Sequence, residues 1–262
     1  MRELERLSLE TTIPAAPTSL GLVGRGRLGH AMARALTAAG CEVDGPAGRG
    51  QAPRGEAILL CVPDREIEAA AAAVAGTAAL VGHTSGAVGL AALAPARAVA
   101  FALHPLMTVP EADGVQFRGA GAAIGGTTPA AVQAAASIAR RLGMSPFELA
   151  DADRPAYHAA ASIASNFLVS LEWTAEELLV QAGVGAERAR GLLAPLVRAT
   201  VESWAQLGAR EALTGPIARG DDATVAVQRE AVARLAPQSL AVFDALAEQT
   251  RALAARGEAV VA

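Results

Sequence analysis

Apolar and polar positions divide the chain into two textures, with the change at about residue 150. Before it, short apolar runs alternate with helical stretches. Ser19-Leu20-Gly21-Leu22-Val23 reads as a short buried strand. Residues 27–39 carry helical periodicity and Gly40 is a fitting stop. Glu42–Ala47 predicts a second strand. Ala57–Val62 predicts a third, whose unbroken apolar run suits a strand covered on both faces. Asp64 can cap the Ala-rich helix that follows, through about Ala75. Leu80–His83, Val99–Leu103 and Ala120–Ile124 supply further strands. Strands alternating with helices predict an α/β class, a doubly wound parallel Rossmann sheet over residues 18–150, preceded by a loose tail over 1–17. Residues 153–182, 186–208, 222–235 and 238–256 are then long, Ala/Leu-rich and helically periodic, which predicts an all-helical carboxy-terminal domain over 151–262.

The loop between the first strand and first helix reads Gly24-Arg25-Gly26-Arg27-Leu28-Gly29. A GxGxxG in a chain with 26 glycines is weak by itself, but this one follows a strand, opens a helix and lies near the amino terminus. Gly24 permits the tight turn, Gly26 lets the backbone approach a pyrophosphate and Gly29 allows close helix–strand packing. The helix amino terminus then offers free N–H groups to the phosphates. Asp44 stands twenty residues beyond Gly24, the separation of an acid that binds the NAD ribose, but it falls inside the second strand. Beyond that strand comes Gly48-Arg49-Gly50, where Arg49 could meet a 2′-phosphate or stand as a solvated loop residue. With Arg25 and Arg27 it tilts the expected cofactor toward NADP(H) over NAD(H).

Composition removes other classes. The net charge of −4 and the few aromatic residues argue against nucleic acid as a partner. Residues 69–96 lack charge over a length that could span a bilayer, yet their Ala/Gly content and internal turns argue against a membrane segment. The first ten residues hold no apolar core of a signal peptide, and Cys41 and Cys61 sit in apolar surroundings. A cytoplasmic location is expected, with both cysteines as buried thiols. All 22 basic residues are arginine, so no lysine can form a Schiff base, serve a Walker loop or donate a proton.

Further along come Cys61-Val62-Pro63-Asp64, His83-Thr84-Ser85-Gly86 and His104-Pro105-Leu106, then Tyr157-His158-Ala159-Ala160-Ala161, Ser165-Asn166 and Leu213-Thr214-Gly215-Pro216-Ile217-Ala218-Arg219-Gly220-Asp221. With these motifs residues 18–255 resemble bacterial Rossmann-like proteins with a helical carboxy-terminal domain of unknown function. These are relatives of pyrroline-5-carboxylate reductase, prephenate dehydrogenase and the 6-phosphogluconate dehydrogenase superfamily. The resemblance implies NAD(P)-dependent redox chemistry on a small molecule, and some members resemble ketopantoate reductases. It also implies a homodimer formed through the helical domain. The family's usual Ser-Arg-Ser is here Gly48-Arg49-Gly50, which removes two hydroxyls from a 2′-phosphate site. In the broader superfamily the helix that here holds Asn166 often carries a lysine four residues earlier; here Ser162 takes that place.

In an open α/β sheet the ligand sits beyond the carboxyl ends of the strands. Val62, Pro63, Ser85 and Gly86 are expected there beside the cofactor. His104 is the first candidate proton donor, because reducing a carbonyl needs a proton on oxygen and histidine titrates near neutrality; it could equally hold a neighbouring loop. His83 has local partners in Thr84 and Ser85. His158, Ser162 and Asn166 recur every four residues, so a continuous helix would align them on one polar face, with Ser165 beside them. A substrate or an interhelical network would satisfy that stripe. Thr214 and Arg219 are further substrate-binding candidates, with Arg219 suited either to a carboxylate or to the nearby Asp221 and Asp222. The reductase reading competes with a pyrroline-5-carboxylate reductase or prephenate dehydrogenase-like enzyme, and with a dinucleotide-binding sensor that performs no chemistry.

Overall fold

The computed structural model describes residues 13–111 and 114–256. These divide into two compact units, with the boundary in the chain between Ser165 and Asn166.

The first unit is built on one seven-stranded sheet. In chain order its elements are β1 (Ser19–Val23), α1 (Arg27–Ala38), β2 (Glu42–Ala47), β3 (Ala57–Leu60), α2 (Ile67–Ala73), β4 (Leu80–His83), β5 (Val99–Leu106), β6 (Gly121–Gly126), α3 (Pro129–Arg141), β7 (Ser145–Glu148) and α4 (Arg154–Ser162). The spatial order is β2-β1-β3-β4-β5-β6-β7. The chain therefore leaves β1 toward one edge and returns to its other side at β3. That reversal opens the crevice in which doubly wound sheets bind ligands.

Successive side chains of a strand face opposite sides of the sheet. Leu20, Leu22 and Leu59 pack with Met32 and Leu36 of α1 and Ala135 and Ile138 of α3 on one side. Ile58, Leu60 and Val81 pack with Ile67, Ala71 and Val74 from α2 and its C-cap on the other. Burial on both faces explains the unbroken apolar runs of β3 and β4.

Several expectations change in detail. β6 runs antiparallel to β5, because the described residues between 107 and 120 form no helix that could carry the chain back for a parallel pairing. That antiparallel partner also lengthens β5 to Leu106, so His104 lies inside the strand, opposite Ala123. β7, a short strand containing Pro146, is an addition to the expected set. Asp64 opens a 3-10 turn and makes no side-chain cap. Of the expected tail, residues 1–12 lie outside the described residues. Residues 13–17 have no regular structure, but Ile13 packs on the core and Pro17 is buried.

The second unit is helical: α5 (Leu168–Gln181), α6 (Ala186–Leu207), the short α7 (Ala209–Ala212), α8 (Asp222–Leu235) and α9 (Leu240–Ala255). Bidentate ion pairs tie Arg190 of α6 to Glu176 of α5 and Arg229 of α8 to Asp244 of α9. The unit begins later than the change of texture at residue 150, because α4 stays with the sheet. Its first residue, Arg154, is fully buried there. No described helix is long and apolar enough to cross a membrane.

Candidate active site

The glycine loop is shaped by close backbone contacts. Gly24 has φ +116°, and a Cβ there would stand 2.2 Å from the Cys61 carbonyl oxygen. A Cβ on Gly29 would lie 1.8 Å from the Gly24 carbonyl oxygen, so α1 can approach β1 only with glycine at that position. Gly26 is different: a Cβ there would meet nothing within 4 Å. Packing does not demand this glycine, and the open space beside it has room for a ligand. Gly26 is the N-cap of α1 and supplies no side-chain cap, and the first turn holds no acid. The leading amides of the helix are thus left for an anion.

A cavity of about 760 Å³ opens at this loop. Gly24, Arg25, Gly26, Arg49, Val62 and Pro63 are among its lining residues, together with Gln51, Arg65 and Glu66. Its walls come from the carboxyl ends of β1, β2 and β3, the place expected from topology. Arg25 donates to the Pro46 carbonyl (3.3 Å) and to Gln51 Oε1 (3.2 Å). Arg49 forms a two-pronged ion pair with Glu66. Arg27 does not line the cavity; its guanidinium donates to the Pro110 carbonyl at 2.8 Å. Leu28 and Gly29 also stay out of it, Leu28 packing on the core. Asp44 accepts the Arg54 amide at 2.8 Å and is likewise absent from the cavity wall.

At the end of β4, and on β5 just beyond its pairing with β4, stands a second polar group. His83 is fully buried, and its Nδ1 accepts the Ser85 amide at 3.2 Å. Burial, helped by the charge of Arg154, pushes its pKa down to about 4. The ring proton therefore belongs on Nε2, which has no hydrogen-bond partner. Ser85 Oγ accepts the amides of Ala87 and Val88, closing the turn that carries Gly86. A Cβ on Gly86 would lie 3.0 Å from both His104 Nε2 and His158 Nδ1, so this glycine sits between the two rings.

His104 lies two residues beyond Ala102, the last residue of β5 paired with β4. Its Nδ1 is 2.7 Å from the Tyr157 hydroxyl. Burial, then the charges of His158 and Arg154, push its pKa down to about 4. Burial raises Tyr157 to about 12. At neutral pH the pair is a neutral imidazole against a protonated phenol. His104 is thus not the near-neutral titrating group its residue type suggests.

Tyr157 and Arg154 are the contributors that sequence reasoning missed. Arg154 Nε donates to Asp151 Oδ1 at 2.7 Å, and Asp151 Oδ2 accepts the Leu90 amide at 2.7 Å. Arg154 Nη1 also reaches the Ser85 carbonyl at 3.4 Å. The start of α4 thereby anchors the 85–90 loop. A charged residue four before His158 and a lone tyrosine beside it were the available signals.

The stripe of His158, Ser162 and Asn166 depends on an unbroken α-helix, and the helix is broken. Residues Ile163–Phe167 form a π-helical turn, whose wider winding shifts the repeat after Ser162. Ile163 and Phe167, the first and last residues of this turn, are 62% and 60% exposed. His158 and Ser162 belong to the first unit and Asn166 to the second. The Asn166 carbonyl accepts the Ser170 hydroxyl. Ser165 is half-buried at the end of the first unit. Thr214 and Arg219 are exposed in the second unit, where Asp221 caps α8 through the Thr224 amide. Among the described residues no group of three or more His, Cys, Asp or Glu side chains could hold a metal ion.

Residues 121–250 match the model of a domain of unknown function, DUF2520. That stretch runs from β6 into α9 and includes Arg154, Tyr157 and His158. No curated protein matches the chain in sequence. Among solved structures it is similar to a Thermotoga maritima protein, with TM-score 0.76 at 20% identity, covering 91% of this chain and 99% of that one. A Bacteroides fragilis protein provisionally named as an NADP oxidoreductase gives TM-score 0.74 at 19% identity, over 89% of this chain and 98% of that one. The Plasmodium falciparum pyrroline carboxylate reductase, solved with NADP bound, gives TM-score 0.59 at 13% identity, over 90% and 98%. At these identities the likeness is one of fold.

Proposed function

We propose that the chain is an NADP(H)-dependent oxidoreductase acting on a small substrate with a carbonyl or imine near a carboxylate, with ketopantoate-type reduction favoured. One observation carries the reading. The glycine loop opens onto an arginine-lined cavity, and a neutral His104 backed by Tyr157 stands beyond the end of β4 in the same sheet. The names of the similar structures, an NADP oxidoreductase and a pyrroline carboxylate reductase with NADP bound, support it.

Gly24, Gly26 and the leading amides of α1 would hold the pyrophosphate, Arg49 and Arg25 the 2′-phosphate, and Val62, Pro63, Ser85 and Gly86 the side facing the substrate. Bound there, the reduced dinucleotide would supply hydride to the unsaturated carbon. The substrate oxygen or nitrogen then needs a proton. His104 donates from Nε2 while the Tyr157 hydroxyl donates to Nδ1, and the imidazole stays neutral throughout. The half-buried phenol recovers its proton from water. His158, Ser162, Ser165, Asn166, Thr214 and Arg219 remain the candidates for holding the substrate.

A homodimer built on the helical unit belongs to this reading. α5 buries no residue and α6 only Ala189, while Trp173, Leu196 and Trp204 are each about 60% exposed. Helices that cover so little of their own apolar surface call for a second copy. The buried, unpaired Cys41 and Cys61 support a reducing, cytoplasmic location.

The test is NADPH consumption against a panel of 2-oxo acids and cyclic imines. Substrate-dependent consumption that is lost in both His104→Ala and Asn166→Ala is the expected result. Saturable NADPH binding with no turnover across the panel would identify a binding protein without chemistry of its own.

A further inference from the structure

The Arg49–Glu66 pair belongs to a cavity wall, and its charges bear on which dinucleotide can enter. Arg49 Nε donates to Glu66 Oε2 at 3.1 Å, and Nη2 donates to Oε1. The arginine side chain is 84% exposed but that of Glu66 only 21%. The acid is therefore fixed at the start of α2, and the arginine reaches over from the loop after β2 to meet it. Arg25 and Arg65 line the same cavity, and Glu66 is the single carboxylate among its lining residues.

A guanidinium has five N–H donors, and its Nε–Nη2 edge meets a carboxylate or a phosphate in the same bidentate geometry. That edge of Arg49 is occupied by Glu66, whose charge also neutralises the rest of the group. We propose that Glu66 is the specificity-determining residue of this site, competing with the 2′-phosphate of NADP(H) for Arg49. The inference rests on the dinucleotide reading above. A dinucleotide without the 2′-phosphate leaves the ion pair intact. One that carries it exchanges carboxylate for phosphate on Arg49 and leaves Glu66, mostly buried, facing a dianion without its cation. The gain from the new contact is offset by that stranded charge. The unmodified protein accordingly discriminates weakly, binding NADPH and NADH within about tenfold of each other.

Glu66→Gln removes the charge and keeps the shape. Titration of the full chain with NADPH and with NADH, by calorimetry, reads the effect. In Glu66→Gln the affinity for NADPH rises about tenfold, the scale of one charge-assisted hydrogen bond. The affinity for NADH stays within twofold, and the gain disappears in Glu66→Gln/Arg49→Ala. Thermal melts of each variant separate binding from folding. A fall in NADH affinity with NADPH unchanged would make Glu66 a ribose ligand and overturn the proposal, as would no change for either dinucleotide. If the unmodified chain binds neither, the dinucleotide reading itself fails and the proposal falls with it.

Discussion

His104 Nδ1 and the Tyr157 hydroxyl lie 2.7 Å apart, linking β5 to α4 through one neutral hydrogen bond. The partner on Nδ1 decides which edge of the imidazole is presented, since a ring nitrogen that accepts leaves the proton on the other.

Tyr157→Phe keeps the ring and its edge contacts and deletes the hydroxyl. The expected result is loss of the single tautomer: nitrogen-15 spectra of the imidazole, tractable with four histidines in the chain, should show His104 exchanging between both forms. Turnover of any substrate found should fall about tenfold, against about a hundredfold for His104→Ala. An unchanged His104 spectrum would remove Tyr157 from this role.

Acid should destabilise the first unit before its carboxylates titrate. An unfolded histidine takes a proton near pH 6.5, whereas His83 and His104 resist protonation until about 4. Between those values the unfolded chain binds more protons. Stability present above pH 6.5 is therefore lost as pH falls toward 4, by about 3 kcal/mol for the fully buried His83 alone. Arg154 and His158 act in the same direction, while Asp64 and Asp151 oppose it in part. Denaturant midpoints that stay flat across this window would contradict the burial of both rings.

Asp151→Ala strands the fully buried guanidinium of Arg154 and releases the Leu90 amide. A loss of about 3 kcal/mol in unfolding free energy is expected, the scale of an uncompensated buried charge. Adding Arg154→Met should restore part of it, because the charge is then gone. A double variant less stable than Asp151→Ala would show that Arg154 stabilises the fold by itself.

Two glycines of one loop should fail in different ways. Gly29→Ala drives a methyl into the Gly24 carbonyl oxygen and should lower the melting temperature sharply. Gly26→Ala meets no protein atom, so the melt should be unchanged while NADPH affinity drops at least tenfold. A stable Gly26→Ala protein with full affinity would place the ligand elsewhere.

Charge on the apolar face of α6 should separate the proposed subunits. Leu196→Asp and Trp204→Asp, both at strongly exposed positions, should convert a dimer into monomers in light-scattering chromatography. An unmodified chain that elutes as a monomer would dismiss the dimer.

Most of the frame was legible because burial writes itself into residue order. β1 and β4 follow from apolar runs, and α6 and α8 from helical periodicity. The glycine loop was legible because close backbone approach tolerates no other residue. The departures have physical reasons too. The direction of β6 depends on what is missing, a crossover helix among the described residues between 107 and 120. β7 is too short to show a period. The low pKa of His104 comes first from burial and then from the charges of His158 and Arg154 on α4, which tertiary contacts bring against β5 across fifty residues of sequence. Arginine fully buried at Arg154 contradicts the usual behaviour of its type, and only its partners explain it.

The π-helical turn at Ile163–Phe167 has a consequence of its own. Such a turn holds one residue more than the α-helical path it replaces, and one residue of an α-helix is about 100° of rotation. Deleting a single residue from this turn would let the winding close to an ordinary α-helix. Which residues of α5 share a helical face with His158 and Ser162 would then change by one position. The turn is thus a phase setting held by a single residue, and a change in chain length at this point would reassign that face without altering one side chain.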